Sequence, residues 1–142
     1  MPHLTRLEIA AIYVGLNILI LLVLSYLVIA GRRKHKIVLG TGENSDFERA
    51  VRAHGNAAEY IPAALVGLVV AAFLEPAAPV WLLHGAGISL TLGRIFHGAG
   101  LHTGALNAGR MIGMILTWVC YLLLGVGLIF AIVGLTLIGA LA

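Results

Sequence analysis

Four long apolar stretches, with few charges between their ends, constrain what this chain can fold into. They run approximately over residues 7–30, 49–74, 79–101 and 108–141. Crossing about 30 Å of hydrocarbon takes roughly 20 helical residues, so each stretch is long enough to span a membrane. Because lipid cannot satisfy open backbone groups, we predict that these stretches are helices. The 142 residues are 61% hydrophobic and 11% charged, a balance that a soluble domain does not require.

The predicted architecture is an all-α, antiparallel four-helix bundle in the membrane. Its helices are expected at about residues 7–30, 46–74, 79–101 and 108–141, and short loops between them favour antiparallel neighbours. These loops are too short for a second domain, so we expect residues 1–142 to form one membrane domain. Ser45 and Glu48 fit the capping-box pattern, which predicts Ser45 as the N-cap of the second helix.

Glycine positions predict where the last two helices approach each other. Gly109 and Gly113 have the Gly-x-x-x-Gly spacing, which favours close helix packing within or between subunits. Gly98, Gly100 and Gly104 are instead predicted to end the third helix and open the turn. The single cysteine, Cys120, lies in the apolar fourth stretch, where we expect it to be buried and inert.

A basic cluster directly after the first apolar stretch predicts the orientation. It comprises Gly31-Arg32-Arg33-Lys34-His35-Lys36. Lys and Arg concentrate in short cytoplasmic loops, so the first loop (about 31–46) and the third (about 101–107) are expected in the cytoplasm. Both termini are then expected on the opposite side. The cluster also suits membrane lipid headgroups, and the few basic residues outside it argue against nucleic-acid binding.

Polar side chains recur near the cytoplasmic ends of three predicted helices. The set comprises Arg49, Arg52, Asn56 and Glu59 in the second helix, Arg94 and His97 in the third, and Arg110 in the fourth. At about 100° per residue, the four from the second helix fall within an arc of roughly 80°. Antiparallel helices bring all of these groups to a similar depth. We therefore predict one polar pocket.

The charges of this predicted pocket indicate the kind of ligand it binds. Its four arginines face one carboxylate, Glu59, and partly buried charges without partners are costly. An anionic ligand that also offers a cation to Glu59 is therefore expected. Arginine binds carboxylates through its planar fork, and the Asn56 amide both donates to and accepts from a peptide group. Glutathione fits this description, although pairing among these residues and with lipid headgroups remains an alternative.

The spacing of these residues resembles a known family. The second helix contains the run Glu48-Arg49-x-x-Arg52-Ala53-His54-x-Asn56-x-x-Glu59, with Pro62 shortly after it. This run resembles the signature of the MAPEG family, the membrane-associated proteins in eicosanoid and glutathione metabolism. Gly93-Arg94-x-x-His97 is similar to the family's third-helix motif, and Arg110 falls where the family carries an arginine at the start of the fourth helix. The compact chain resembles bacterial members of the family and is similar to microsomal glutathione transferase.

The resemblance implies a homotrimer in a bacterial inner membrane, with glutathione bound between subunits near the cytoplasmic face. The residues that would contact glutathione are Arg52, Asn56, Glu59 and His97, with Arg94 as a supporting contact. Arg110 would stabilise the thiolate and is the predicted catalytic residue. The implied activity is glutathione transfer to a lipophilic electrophile from the bilayer, or reduction of a lipid hydroperoxide. No metal and no haem are expected.

Other interpretations of the sequence stay open at this point. A non-enzymatic membrane protein would hold an anionic lipid or another small anion in the same pocket. A haem protein using His54 and His97, or a channel subunit, are further alternatives, but no haem motif is present and the polar groups cluster at one end. The chain departs from some relatives at Gly55, Leu101, Met111 and Met114, where those proteins carry polar side chains.

Overall fold

The chain forms four helices and no other long element in the part that the structure describes. The computed structural model describes residues 4–103 and 107–141. The helices are α1 (Arg6–His35), α2 (Ser45–Phe73), α3 (Val80–Thr103) and α4 (Ala108–Leu141). α2 and α3 each contact the other three helices, which places this pair at the centre of the bundle. The predicted all-α class and the four helices are confirmed.

Three of the four helices are candidate membrane spans by their length and composition. α1, α2 and α4 are long and apolar enough to cross a membrane, whereas the 24-residue α3 is not among the candidate spans. Of the four helices predicted to span the membrane, three are therefore candidate spans. α3 carries Arg94 and His97, which are only 1% and 3% exposed, so its polar side chains face the protein interior. Its other side still carries exposed apolar side chains, among them Trp81, Ile88 and Ile95.

Two helix ends differ from the sequence prediction. α1 continues through the basic cluster to His35, and Lys36 ends it in the left-handed conformation at φ 56°. Basic side chains in the last turn complement the negative end of the helix dipole, which explains the extension. The prediction of Ser45 as N-cap is wrong, because Asn44 caps α2. Its side-chain oxygen accepts from the N–H of Phe47 at 2.9 Å, and asparagine is as good a cap as serine.

α3 and α4 pack backbone against backbone. A Cβ atom on Gly93 would lie 2.9 Å from the carbonyl oxygen of Gly113, and one on Gly113 would lie 2.5 Å from the nitrogen of His97. No side chain fits at either position. The predicted close packing at Gly109 and Gly113 is confirmed, and it occurs within one subunit. We call this contact, centred on Gly93, Gly100, Gly109 and Gly113, the glycine seam.

The prediction that glycines end the third helix is wrong for two of the three. Gly98 and Gly100 lie inside α3, which continues to Thr103. Gly100 has a packing role there, since a Cβ on it would lie 2.5 Å from the nitrogen of Arg110. Gly104 lies outside the described residues. Cys120 is fully buried, as expected.

The opposite end of the bundle is closed by one arginine. The side chain of Arg6 donates to the carbonyl oxygens of Ala71 at 3.0 Å, Ala72 at 3.3 Å and Ala78. The last carbonyls of a helix have no partner within the helix, so this side chain satisfies the C-terminal end of α2. It also joins the starts of α1 and α3 to that end. The other end of the bundle, where α2 begins, is left open between α2 and α3.

Candidate functional site

A polar cleft opens between α2 and the α3–α4 pair, near the first turns of α2 and α4. Its volume is about 160 Å³, and it is lined by Val51, Arg52, Gly55, Asn56, Glu59, His97, Leu101 and Arg110. Five of the six predicted site residues therefore line one cavity. A neighbouring opening of about 270 Å³ shares Arg52, Leu101 and Arg110 and extends outward past Arg49. We refer to the first cavity as the polar cleft.

One side of α2 supplies the charged and amide groups of the cleft. Arg52, Asn56 and Glu59 lie on successive turns, while Ala53 and Ala57, each 2% exposed, pack into the bundle. Residues three and four positions apart share a helix face. Because the two alanines pack into the bundle, they determine which face of α2 carries the polar groups at the cleft. Arg52 and Glu59 are exposed and form no ion pair with the residues that the structure describes.

The outermost arginine of the predicted stripe is already engaged. Arg49 forms an ion pair with Asp46, three residues earlier on the same helix. It lines the outer opening and not the polar cleft itself. Among the residues that line the polar cleft, Arg52 and Arg110 carry positive charge and Glu59 carries the negative charge. The cleft has a net positive charge.

His97 enters the cleft from α3 and is held there by the glycine seam. It is 3% exposed, and its backbone nitrogen lies against Gly113 of α4. Its ring makes no hydrogen bond within residues 4–103 and 107–141, although it lines the cavity. The ring nitrogens are therefore available to a ligand in the cleft.

Arg110 is positioned by the cap of its own helix. Its backbone N–H donates to the side-chain oxygen of Asn107 at 3.0 Å, and the Asn107 amide donates to the carbonyl of Gly100. One asparagine thereby joins the first turn of α4 to the last turns of α3. The half-buried Arg110 side chain lines the cleft from the positive end of the α4 dipole, which adds to the attraction for an anion.

Arg94 lies behind the polar cleft and does not line it. Its Nη1 donates to the side-chain oxygen of Asn56 at 2.7 Å, and its Nη2 donates to the Thr117 hydroxyl. The guanidinium carbon also lies 5.5 Å from the centre of the Tyr60 ring. Arg94 therefore fixes the orientation of Asn56 and leaves the Asn56 NH₂ to donate elsewhere. A direct contact between Arg94 and glutathione stays a prediction.

Two residues around Arg94 were missed by the sequence reasoning. Thr117 is fully buried, and it continues the four-residue spacing of Gly109 and Gly113 along α4. That spacing is the signal that places it on the α3-facing side. Tyr60 follows Glu59 directly, and its carbonyl accepts from the Tyr121 hydroxyl at 2.7 Å. No sequence signal distinguishes it from other aromatic residues of a membrane helix.

The four positions at which the chain departs from some relatives differ in where they lie relative to the polar cleft. Gly55 and Leu101 line the polar cleft, and the Met114 sulfur accepts from Arg94 Nη2 at 3.7 Å. Met111 is exposed on the outer surface. The cleft is therefore apolar at Leu101 and unfilled at Gly55. Within the described residues, no three His, Cys, Asp or Glu side chains come together to hold a metal ion.

Comparison with known proteins identifies the family. The sequence profile of the MAPEG family matches residues 10–130 of the chain. The chain is also 39% identical over 117 residues to the inner membrane protein YecN of Escherichia coli strain K12, covering 82% of this chain and 86% of that protein. The same values hold for YecN of E. coli O6:H1. The apolar helices and these relatives show an integral membrane protein, and the chain belongs to the MAPEG family.

Proposed function

We propose that this protein is a glutathione-dependent transferase or peroxidase that acts on a lipophilic electrophile or a lipid hydroperoxide. The observation that supports the proposal is the set of side chains around one cleft: Arg52, Asn56, Glu59, His97 and Arg110. Two cations, one carboxylate, one amide and one imidazole match the anionic, cationic and peptide groups of a γ-glutamyl tripeptide.

The length of the α2 face also fits this ligand. Arg52 and Glu59 are seven residues apart, which is about 10 Å along a helix. An extended tripeptide spans about the same distance, roughly 10 Å. Arg52 can therefore bind one terminal carboxylate while Glu59 accepts from the ammonium at the other end. Asn56 lies between them and can donate its NH₂ to a peptide carbonyl, because Arg94 occupies its oxygen.

Arg110 would supply the chemistry at the sulfur. A guanidinium beside a thiol stabilises the thiolate, which is the nucleophile. In transfer, the thiolate sulfur forms a bond to an electrophilic carbon. In a substitution the displaced electron pair departs with the leaving group, and in an addition it is protonated. In peroxide reduction, the sulfur attacks the terminal oxygen of a hydroperoxide and releases the alcohol. A second glutathione then reduces the sulfenic acid, which yields glutathione disulfide and water.

The open side of the cleft favours assembly with further copies of the chain. Arg52 and Glu59 are exposed, and the same face of α2 continues with the exposed apolar residues Val66, Val70 and Phe73. We propose a homotrimer in a bacterial inner membrane, with each cleft completed by a neighbouring subunit. The first and third loops would face the cytoplasm and both termini the opposite side. Glutathione would enter from the cytoplasm and the second substrate from the lipid.

Glutathione titration of the detergent-purified protein by calorimetry tests the binding roles. Glu59→Gln removes the partner of the ammonium, so we expect an affinity loss of about 10- to 100-fold. Glu75→Gln is the matched control, since Glu75 is exposed in the loop at the opposite end of the bundle. Equal affinities for the two variants would contradict the assignment of Glu59.

The catalytic role of Arg110 has its own readout. Bound glutathione should show the ultraviolet absorbance of a thiolate in the wild type and lose it in Arg110→Ala, while Arg33→Ala at the exposed basic cluster keeps it. Binding without turnover of several electrophiles or hydroperoxides would favour the non-enzymatic alternative. No binding by the wild type at millimolar glutathione would overturn the proposal and favour an anionic lipid or another small anion.

A further inference from the structure

A second cavity, separate from the polar cleft, lies where the first loop leaves α1. It is open to the surface, and its volume of about 470 Å³ is within the range of ligand pockets, roughly 300–1,000 Å³. Its lining residues are Ile29, Arg32, Arg33, Lys36, Ile37 and Val38. None of them lines the polar cleft. We call this cavity the basic hollow.

The structure divides the basic cluster at the end of α1 into two parts. Ile29, Arg32 and Arg33 lie three and four positions apart, so they share one helix face, and Lys36 continues this spacing at the helix end. All four line the basic hollow. Lys34 belongs to the same basic run, but it does not line the cavity. Only part of the cluster is therefore gathered around one space.

The first loop folds back over this face of α1. The Ile37 N–H donates to the Arg32 carbonyl at 3.0 Å and the Lys36 N–H to the Arg33 carbonyl at 3.4 Å, which is the Schellman motif. Lys36 has the left-handed conformation there, a position at which glycine is the usual residue. Arg32 Nη1 then donates to the carbonyl of Val38 at 3.1 Å. These bonds hold the loop against the helix.

The basic hollow is lined by three cations and by no carboxylate. Arg33 and Lys36 are exposed, and neither forms an ion pair with the residues that the structure describes. Arg32 donates to backbone carbonyls, which orient its side chain but leave its charge uncompensated. Glu43 is the acidic residue of the first loop, and it does not line the cavity. The hollow therefore attracts an anion.

The basic hollow lies at the boundary of the membrane. Between Glu8 and Arg32, α1 carries no charged residue, and these two are about 36 Å apart at helical rise. The hydrocarbon core is about 30 Å thick, so with α1 across the membrane Arg32 lies at the level of the lipid headgroups. Ile29 is almost one turn deeper, at the edge of the hydrocarbon. Val38 is 92% exposed and lines the same cavity as Ile29.

The apolar residues decide between a soluble anion and an anionic lipid. A soluble phosphate would use the cations but leave Ile29, Ile37 and Val38 in water. A phospholipid places its phosphate at the depth of the basic side chains and its first methylene groups against the apolar ones. Basic residues directly beside a membrane helix attract anionic lipids. A zwitterionic lipid is less suited, because its ammonium group is repelled by the same three cations.

We propose that the basic hollow binds one anionic phospholipid, with its phosphate on Arg33 and Lys36 and the start of an acyl chain against Ile29 and Val38. Arg32 is the positioning residue, since it holds the loop in place through the Val38 carbonyl. The site does not rest on the proposed glutathione chemistry, because the hollow and the polar cleft have no lining residue in common.

Native mass spectrometry of the full-length protein released from nanodiscs tests the site. The nanodiscs contain equal amounts of phosphatidylglycerol and phosphatidylcholine, and the lipids that stay bound are counted. We expect the wild type to retain phosphatidylglycerol preferentially. The preference should fall about fivefold in Arg33→Gln, since a cation near the surface contributes that much to anionic lipid binding. Lys34→Gln is the matched control: it removes the same charge one residue away, outside the hollow, and should leave the preference nearly unchanged.

A second pair of variants tests the apolar side of the hollow. Val38→Asp places a carboxylate inside the cavity, whereas Leu39→Asp places it just outside. The two residues are matched in exposure, at 92% and 89%. We expect the preference for phosphatidylglycerol to be lost in Val38→Asp and largely kept in Leu39→Asp. Equal losses in the two variants would contradict a site at this cavity.

Three further outcomes would overturn the phospholipid site. They are no preference for phosphatidylglycerol in the wild type, equal losses in Arg33→Gln and Lys34→Gln, or displacement of the bound lipid by millimolar glycerol 3-phosphate. The second would mean a diffuse cationic surface, and the third would assign the hollow to a soluble phosphate. The glutathione titrations use a different ligand and a different cavity, so either proposal can fail without the other.

Discussion

The glycine seam and the polar cleft lie side by side and share His97 and Arg110, yet they are built in opposite ways. In the seam, backbones touch and no Cβ fits at Gly93 or Gly113. In the cleft, the side chains of α2 are separated by open space, and a Cβ added to Gly55 would meet no atom within 4 Å. The seam has no room for added side-chain atoms, whereas the cleft has hydrogen-bonding groups that the described residues do not use.

This difference indicates how the geometry of an open site is maintained in a four-helix bundle. His97 and Arg110 project from a helix pair that is locked at the backbone, so their positions do not depend on a ligand. Arg52 and Glu59 project from the face of α2 that has no partner within the described chain. We infer that the α3–α4 side provides fixed geometry, while the α2 side provides the groups that a ligand or a neighbouring subunit engages.

The largest expected effect comes from forcing the seam apart. Gly113→Ala would place a methyl group 2.5 Å from the His97 nitrogen and 2.6 Å from the Gly93 oxygen, both backbone atoms. We expect a destabilisation of about 3 kcal/mol, the upper part of the range for overpacking. Thermal unfolding in detergent, followed by circular dichroism, measures it. Gly125→Ala on the same helix is the control, because its Cβ meets nothing; equal melting temperatures would mean that the seam is not tight.

A smaller effect should follow from disturbing the link between the two regions. Thr117→Val keeps the shape of the side chain but leaves Arg94 Nη2 without its hydroxyl partner. We expect a loss of about 1–2 kcal/mol, because this charged donor keeps only its longer contacts with the Gly113 carbonyl and the Met114 sulfur, together with weaker glutathione binding through Asn56. Thr136→Val is the control, since the Thr136 hydroxyl is exposed and bonds only its own helix. Similar stability of both variants would show that Arg94 is held by its other contacts.

The smallest expected effect is a gain at the cleft. Gly55→Arg adds a cation where a side chain has room, so we expect glutathione to bind more tightly by about 0.5–1 kcal/mol, or two- to fivefold. Calorimetry against Gly55→Ala measures the gain, and added salt should reduce it because the site is open to solvent. An arginine variant that binds no better than the alanine variant would argue against anion binding in the cleft.

Much of the fold was predictable from the sequence, because long apolar runs in lipid leave the backbone little choice but helix. The start of α4 at Ala108 matches the prediction, since Gly-rich sequence and Asn107 mark the turn. The end of α1 does not, because apolar periodicity stops at the membrane boundary while the helix continues through charged residues to His35. The N-cap of α2 was misplaced by one residue, since Asn44 and Ser45 cap equally well.

The candidate site was predictable where its residues lie on one helix. It was less predictable where their positions depend on the angle at which two helices cross. The spacing of Arg52, Asn56 and Glu59 places them on one face whatever the neighbours are. Arg94 shares a face with His97 by spacing, yet only His97 lines the cleft. The crossing of α3 over α4 directs the Arg94 side chain toward Thr117, and a single sequence carries no record of that angle.

The hydrogen bonds of Arg6 constrain the order in which the bundle assembles during synthesis. Its acceptors, the carbonyls of Ala71, Ala72 and Ala78, lie 65, 66 and 72 residues further along the chain. When Arg6 is synthesised, none of these acceptors yet exists. The arginine must stay hydrated at the membrane boundary until α2 has crossed and α3 has begun. The hydrogen bonds of Arg6 therefore form late in biogenesis. They close this end of the bundle only after α2 has packed against α1.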